Sequence, residues 1–318
     1  MKNIQEDFFP TLDYIEQVDL RYPDLEDNEY IVRLAYLNVE NGNKTLHQLD
    51  EAPTEELNLL SHKVSEIAMN FSKIKTMYEL FCYDVSSFIN FIEKNNCDTD
   101  QIKESQINRY MLHLLSSGKL FVDFNENQIK NKYGEKSNEF LKFHRLASRQ
   151  FDTNFSYRFC YYLRNYTQHI GLPISELKLT FDQETELKKL ECFLDLNWLL
   201  KSTFNWKKIR KELEEKNKLY NLIDVIEIVR SYFESITKLY GEYCKFFLEY
   251  NHETLLNMEK ELEVLGLHRT TYYSTKITKH DLKYNPTNLI KSPIFGYDKI
   301  QEIYLELSKI GLVDIVYK

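Results

Sequence analysis

The chain has 318 residues, of which 43% are hydrophobic, and carries 49 Asp and Glu against 41 Lys and Arg, for a formal net charge of −8. That apolar content supports a sizeable buried core and excludes disorder over most of the chain, and the length suits one large domain or two. With only 8 Gly and 6 Pro, the sequence has few residues for tight turns. This scarcity argues against a many-stranded sandwich or barrel and predicts an all-α fold of long helices.

Cysteine usage and the first residues predict the compartment. The five cysteines are an odd number, and no two lie within three residues of each other. This pattern indicates neither a disulfide framework nor a CxxC metal site. The start, MKNIQEDFFPTLDYIEQ, meets acids before any apolar run, and no window approaches about 18 uncharged apolar residues. We expect a cytoplasmic chain without a signal peptide or contact with a membrane.

Charge is unevenly distributed along the chain. Residues 1–60 carry 14 Asp and Glu but only 4 Lys and Arg, so the remainder is close to neutral. Within it, residues 140–169 and 201–211 are basic segments. Each could bind a nucleic acid or form a solvated helix face, and charge alone leaves both readings open.

Near the N-terminus, residues 28–50 fit either a helix starting at Asn28 or a hairpin around Asn41-Gly42. From Thr54, a typical N-cap, apolar residues recur every three or four positions and predict a helix to about Lys94, with a break near Cys82 left open. Further helices are predicted at 99–118, from 136, and at 154–170, 182–201, 220–250 and 253–265.

The pattern predicts three segments. Residues 1–53 form an acidic N-terminal segment, and residues 54–265 form a multi-helix bundle. Residues 266–318 form a C-terminal appendage, whose β-branched and aromatic stretch 268–295 suggests a small irregular or β structure. A single domain is the alternative, because no low-complexity linker separates these segments.

The predicted helix 154–170 contains the residues most suggestive of chemistry. Asn165 and His169 are i,i+4 neighbours on one face, and Arg164 lies about 140° from His169 around the helix axis. A cation and an imidazole that flank one groove, with Arg158 one or two turns behind, suit a phosphodiester.

This arrangement resembles the HEPN superfamily of helical-bundle proteins. Its ribonuclease members carry an Arg, a polar residue and then a His four to six positions after the Arg, here Arg164, Asn165 and His169. The resemblance is close over residues 152–174. It implies a HEPN-type bundle, a metal-independent endoribonuclease, RNA as partner, and a role as a toxin or antiviral defence effector.

The groups present fit that chemistry. RNA is cut without a metal when its own 2′-hydroxyl attacks phosphorus, which needs a base, an acid and a cation for the oxyanion. His169 would serve as base or acid, Arg164 would hold phosphoryl oxygens, and Asn165 would orient either. Substrate contacts are expected from four residues of the same basic region, Arg149, Arg158, Tyr161 and Tyr162.

The motif supplies one histidine, whereas acid–base catalysis uses two proton-transfer groups. The resemblance implies that a homodimer with a composite active site provides both. A neutralising partner protein also fits a toxin. No HExxH, paired-His or Gly-rich phosphate loop occurs, so we expect no metal and no cofactor.

Simpler interpretations stand beside this one. The role of His169 could be limited to interacting with the carbonyls at its helix end, and the tyrosines could be packing residues. His144 also invites a catalytic interpretation, but no partner lies at a fixed spacing from it, so a surface or core role is favoured. The rival function is a non-catalytic helical module that binds a protein or nucleotide partner, with the acidic residues 1–60 as its contact surface. An enzyme requires Arg164 and His169 to line an open cleft, whereas a module does not.

Overall fold

The computed structural model describes the following residues: 17–19, 30–40, 43–49, 52–94, 104–181, 188–264, 272–278, 290–294 and 297–314. Most of them are helical. The helices are α1 (Glu55–Lys94), α2 (Glu104–Tyr133), α3 (Asn138–Thr153), α4 (Phe155–His169), α5 (Leu196–Lys201), α6 (Arg210–Leu219), α7 (Val225–Val264) and α8 (Tyr297–Lys309).

Two sheets accompany the helices. The strands are β1 (Gln17–Asp19), β2 (Tyr30–Glu40), β3 (Asn43–Gln48), β4 (Glu176–Phe181), β5 (Lys188–Asp195), β6 (Leu222–Asp224), β7 (Tyr272–Thr278) and β8 (Ile290–Ile294). The larger sheet has the order β1-β3-β2-β7-β8, and the smaller has the order β4-β5-β6. All pairs are antiparallel except β1 with β3.

Contacts divide the chain into two compact units. One comprises Met1–Phe71 with Lys245–Lys318, and the other comprises Ser72–Cys244. In the first unit, strands from both chain ends share the five-stranded sheet. The proposed segmentation at residues 53 and 265 stays a prediction.

Side-chain caps set the starts of three helices. Thr54 Oγ1 accepts a hydrogen bond from the Leu57 amide at 3.0 Å, and Asn154 Oδ1 accepts one from the Tyr157 amide at 2.9 Å. Ser137 does the same for α3. These caps satisfy amides that have no partner within the helix. The predicted starts near 54 and 154 are therefore confirmed, and α1 runs unbroken past Cys82 to Lys94.

The predicted helix end at Gly118 is wrong, because α2 continues to Tyr133. Gly118 serves packing instead. A Cβ placed there would lie 2.9 Å from two ring carbons of Tyr232 on α7, so only glycine lets that ring approach α2. Around this contact, Phe81 of α1 packs edge-on against Tyr232 with ring centroids 5.5 Å apart.

The helix predicted at 182–201 is correct only at its C-terminal end and wrong over 188–195. Residues 182–187 lie outside the described part of the chain. Residues 188–195 form β5, which pairs with β4 and β6, and only 196–201 are helical. Leu190, Cys192 and Leu194 alternate inward, and each is at most 4% exposed. This period of two is the signature of a strand with one buried face. The three-stranded sheet β4-β5-β6 therefore lies in the middle of the sequence, where the predicted all-α bundle has no strand.

Three other expectations can be compared with the structure. The hairpin alternative for 28–50 is correct in β2 and β3, although Asn41 and Gly42 lie outside the described residues. The helices predicted at 220–250 and 253–265 are one helix, α7. Strands β7 and β8 lie within 268–295 and join the N-terminal strands. None of the described helices has both the length and the apolar character needed to cross a membrane.

Candidate active-site cleft

The unit Ser72–Cys244 contains a cleft of about 780 Å³. Its walls come from α2, α3, α4 and the segment 203–207 that precedes α6. Helices α3 and α4 are joined by Asn154, which caps the end of one and the start of the other. The cleft is therefore built from neighbouring elements of one unit.

Two residues of the predicted motif line this cleft. Asn165 and His169 lie one turn apart on α4, and both belong to the cleft wall. Helix α4 ends at His169, as the following Gly171 and Pro173 predict, and leaves the imidazole exposed in the last turn. Among the described residues, none is hydrogen-bonded to the His169 ring, which is exposed in the cleft wall.

Arg164 does not line the cleft. Its side chain is half-buried, and Nη1 donates a hydrogen bond to Asn165 Oδ1 at 3.3 Å. Its Nε is buried and has no hydrogen-bond partner among the described residues. Because the guanidinium occupies the Asn165 carbonyl oxygen, the Asn165 amide NH₂ is left as the donor for an anion in the cleft.

Arg158 and Arg149 also lie outside the cleft wall. Arg158 Nη2 donates to Glu212 Oε2 at 2.6 Å, and Nη1 donates to the Asp152 carbonyl oxygen at 3.0 Å and to that of Phe151. These bonds tie the end of α3 to α6. Arg149 is exposed on α3. The two arginines were expected to contact substrate, and that role stays a prediction.

Two lysines, Lys119 and Lys207, supply the positive charge in the cleft wall. Lys119 pairs with Asp123, and its Nζ lies 5.3 Å from the Tyr161 ring centroid. Lys207 has φ of 46°, the only positive φ of a non-glycine residue in the described part of the chain. Such a backbone costs about 1–2 kcal/mol for an ordinary side chain, so the surrounding segment imposes it.

The tyrosines divide into one exposed ring and several packed ones. Tyr161 is 37% exposed, whereas Tyr162 and Tyr157 are 7% and 6% exposed. Burial raises the pKa of Tyr162 and of Tyr157, so both stay neutral phenols at ordinary pH. Tyr161 stands edge-on to Phe151, with centroids 5.4 Å apart. Of the two tyrosines expected to contact substrate, Tyr161 therefore offers more ring surface for stacking.

The cleft holds a second histidine, His144, for which the sequence favoured a surface or core role. His144 of α3 and Glu126 of α2 both line it, and His144 Nδ1 lies 3.1 Å from Glu126 Oε1. The two residues lie on different helices, so no short spacing marks them. A signal was present in α2, because Lys119 and Glu126 are seven residues apart and share one face of a helix that continues past Gly118.

The described residues hold no group of three or more His, Cys, Asp and Glu side chains arranged to bind a metal ion. What the cleft does hold is two imidazoles, two ammonium groups, an oriented amide and an exposed aromatic ring. Such a set can transfer protons and bind an anion with an attached aromatic base.

Comparison with known proteins finds no family model, curated protein or solved structure that matches this chain. The residues of the cleft, with Asn165 and His169 of the motif among them, are therefore the basis for a function.

Proposed function

We propose that this chain is a metal-independent endoribonuclease that cuts RNA by attack of the substrate's own 2′-hydroxyl. The observation that supports it most is that Asn165 and His169 line one open cleft together with Lys119 and Lys207. The lysines and the Asn165 amide would bind the phosphate, and His169 would transfer a proton. An RNA base would stack on Tyr161.

Arg164 enters the proposal indirectly. The HEPN resemblance gives it direct contact with phosphoryl oxygens, but its hydrogen bond to Asn165 supports an orienting role. The resemblance further proposes a HEPN-type bundle and activity as a toxin or antiviral effector in the cytoplasm, with or without a neutralising partner. The resemblance taken alone places the other histidine on a second chain of a homodimer.

The placement of Arg164 favours the rival function, a module that binds a protein or nucleotide without cleaving it. An enzyme was expected to expose both Arg164 and His169, and only His169 lines the cleft. The two functions differ in whether bound RNA is cut, so one assay separates them.

The test uses the full chain and a labelled RNA oligonucleotide in EDTA. We expect cleavage that leaves 2′,3′-cyclic phosphate and 5′-hydroxyl ends and spares DNA and 2′-O-methylated RNA, because the nucleophile is the 2′-hydroxyl. His169→Ala should lower the rate by about 10²–10⁴-fold. The matched control is His113→Ala, since His113 is an exposed histidine of α2 outside the cleft wall.

Metal-dependent cleavage, or cleavage of DNA, would overturn the mechanism. RNA binding without cleavage would support the module instead. A large loss of thermal stability in His169→Ala would point to a structural role for that histidine, because exposed helix substitutions usually change stability within about 0.5 kcal/mol.

A further inference from the structure

A second imidazole, the type of group that the proposed reaction needs, lines the cleft of the same chain. His144 lines the cleft together with His169, and its side chain is 55% exposed. The two residues come from α3 and α4, which lie in one compact unit. A substrate in the cleft can therefore meet both imidazoles without a second chain.

The His144 ring is held in place from two directions. Phe140, one turn earlier on α3, stacks on it with centroids 5.8 Å apart and an interplanar angle of 13°. Phe140 is itself buried, so it provides a fixed surface. Glu126 accepts a hydrogen bond from Nδ1 at 3.1 Å and fixes the ring's rotation.

This hydrogen bond also selects the tautomer. An ionised carboxylate can only accept, so the proton of a neutral His144 ring resides on Nδ1. The other nitrogen, Nε2, then carries the lone pair that accepts a proton. Nucleophile-activating histidines in hydrolases are arranged in the same way, with a carboxylate on one nitrogen and a reacting hydroxyl on the other.

His169 differs from His144 in its surroundings. It is the last residue of α4, and its side chain is exposed. No carboxylate among the described residues is bonded to it. The charged groups of the cleft wall are Lys119, Glu126 and Lys207, and the lysines would bind the scissile phosphate beside it.

We propose that His144 is the general base, Glu126 its positioning residue and His169 the general acid, all in one chain. This inference rests on the proposed function. His144 Nε2 takes the proton of the 2′-hydroxyl as the 2′-oxygen bonds to phosphorus. The bond from phosphorus to the 5′-oxygen breaks, and the His169 imidazolium gives its proton to that oxygen. The products are a 2′,3′-cyclic phosphate and a 5′-hydroxyl. His144 then loses its proton to water and His169 gains one from water, which restores both residues.

A substrate with sulfur in place of the bridging 5′-oxygen separates the two roles. A thiolate leaves without being protonated, so loss of the general acid matters little for this RNA. On ordinary RNA, we expect His144→Ala and His169→Ala each to lose about 10²–10⁴-fold in rate. On the sulfur-bridged RNA, His169→Ala should recover most of its rate and His144→Ala should not.

The positioning role of Glu126 is tested by asking whether the effect of its substitution requires His144. Glu126→Gln should lower kcat while leaving KM and the thermal midpoint nearly unchanged, and it should have no further effect in a His144→Ala background. His113→Ala is again the control. If Glu126→Gln lowered kcat by the same factor in wild type and in His144→Ala, Glu126 would not act through His144.

Mixing chains tests whether one chain suffices. Wild-type and His169→Ala chains are exchanged, with exchange verified by tags. If each chain holds a complete cleft, activity is proportional to the wild-type fraction, whereas a site shared between two His169 residues gives its square. At about one wild-type chain in ten the two results differ roughly tenfold.

The outcomes separate this inference from the function beneath it. If His169→Ala is inactive and His144→Ala is as active as His113→Ala, the chain is a ribonuclease but His144 is not its base. If the wild-type chain cuts no RNA, the proposed function and this inference both fall. If activity varied with the square of the wild-type fraction, the second histidine would come from a partner chain.

Discussion

At the scale of single residues, Arg164 shows how a predicted role and an observed contact differ. The motif suggests that Arg164 holds phosphate, but the side chain bonds to Asn165 and lies outside the cleft wall. An arginine that acts through a neighbour loses its effect when the neighbour is removed. The two interpretations therefore differ in additivity.

We expect Arg164→Ala and Asn165→Ala each to lower kcat/KM by about 10²–10³-fold, the cost of one oriented oxyanion donor. The double variant should be little worse than either single variant, because both disrupt the same donor. Arg145→Ala, an exposed arginine of α3 outside the cleft wall, is the control. Fully additive losses would instead indicate that Arg164 contacts the phosphate itself.

Arg158 was expected to bind substrate, and its bonds predict a different result. Its side chain is 15% exposed and is engaged by Glu212 and by two carbonyl oxygens at the end of α3. Arg158→Ala should cost about 1–2 kcal/mol of unfolding free energy, measured in urea, because these acceptors lose a charged donor. RNA affinity of the folded variant should be unchanged. If Arg158→Ala kept the wild-type stability but bound RNA more weakly, Arg158 would contact substrate after all.

At the scale of elements, the packing of α2 against α7 depends on Gly118. Gly118→Ala places a Cβ against the Tyr232 ring and should destabilise the chain by about 1–3 kcal/mol. The matched control is Gly241→Ala in α7, which has open space around it. That change should stabilise by about 0.5–1 kcal/mol, since alanine favours a helix interior. Thermal or urea unfolding measures both, and a gain in both variants would mean that Tyr232 moves aside freely.

The elements also show what the sequence could and could not reveal. Thr54, Asn154 and the Gly171-Pro173 stop are local signals, and they correctly place the ends of α1 and α4. Gly118 carries the same local signal as a helix end, but the close approach of Tyr232 decides its role. Strand β5 forms because β4 and β6 pair with it, although the alternation of Leu190, Cys192 and Leu194 was visible in the sequence.

In the candidate site, too, local spacing was predictable from the sequence and tertiary contacts were not. Asn165 and His169 are four residues apart on one helix, so spacing alone placed them together. Glu126 and His144 meet only through the packing of α2 against α3, which no local spacing encodes. Lys119 was likewise missed, because it follows the expected helix end at Gly118, whereas Lys207 lies in the basic segment 201–211 that the sequence does mark.

At the scale of the whole molecule, buried phenols make stability depend on alkaline pH. Burial raises the pKa of Tyr157 and of Tyr243, that of Tyr232 well above its ordinary value, and that of Tyr304 to about 12. Above pH of about 10 the unfolded chain loses these protons while the folded chain keeps them. The unfolded state then binds fewer protons, so the free energy of unfolding falls as pH rises.

We therefore expect stability to be flat below pH of about 10 with respect to these groups. Above it, each such tyrosine should contribute a decline of about 1.4 kcal/mol per pH unit. Urea unfolding followed by circular dichroism between pH 8 and about 11.5 measures the slope. Replacing Tyr232 by Phe should reduce it. A slope that is the same in Tyr232→Phe and wild type would show that this phenol ionises in the folded chain.

The left-handed backbone at Lys207 has a consequence for how this protein would respond to selection or to engineering. Asparagine tolerates positive φ better than lysine, so Lys207→Asn should raise stability by up to about 1 kcal/mol. The same change removes one of the two cations of the cleft wall. A screen for thermal stability would therefore select Lys207→Asn and remove a cation from the cleft wall. A screen for the proposed activity would select lysine at the same position. If the chain is the proposed ribonuclease, stability and catalysis favour different residues at position 207.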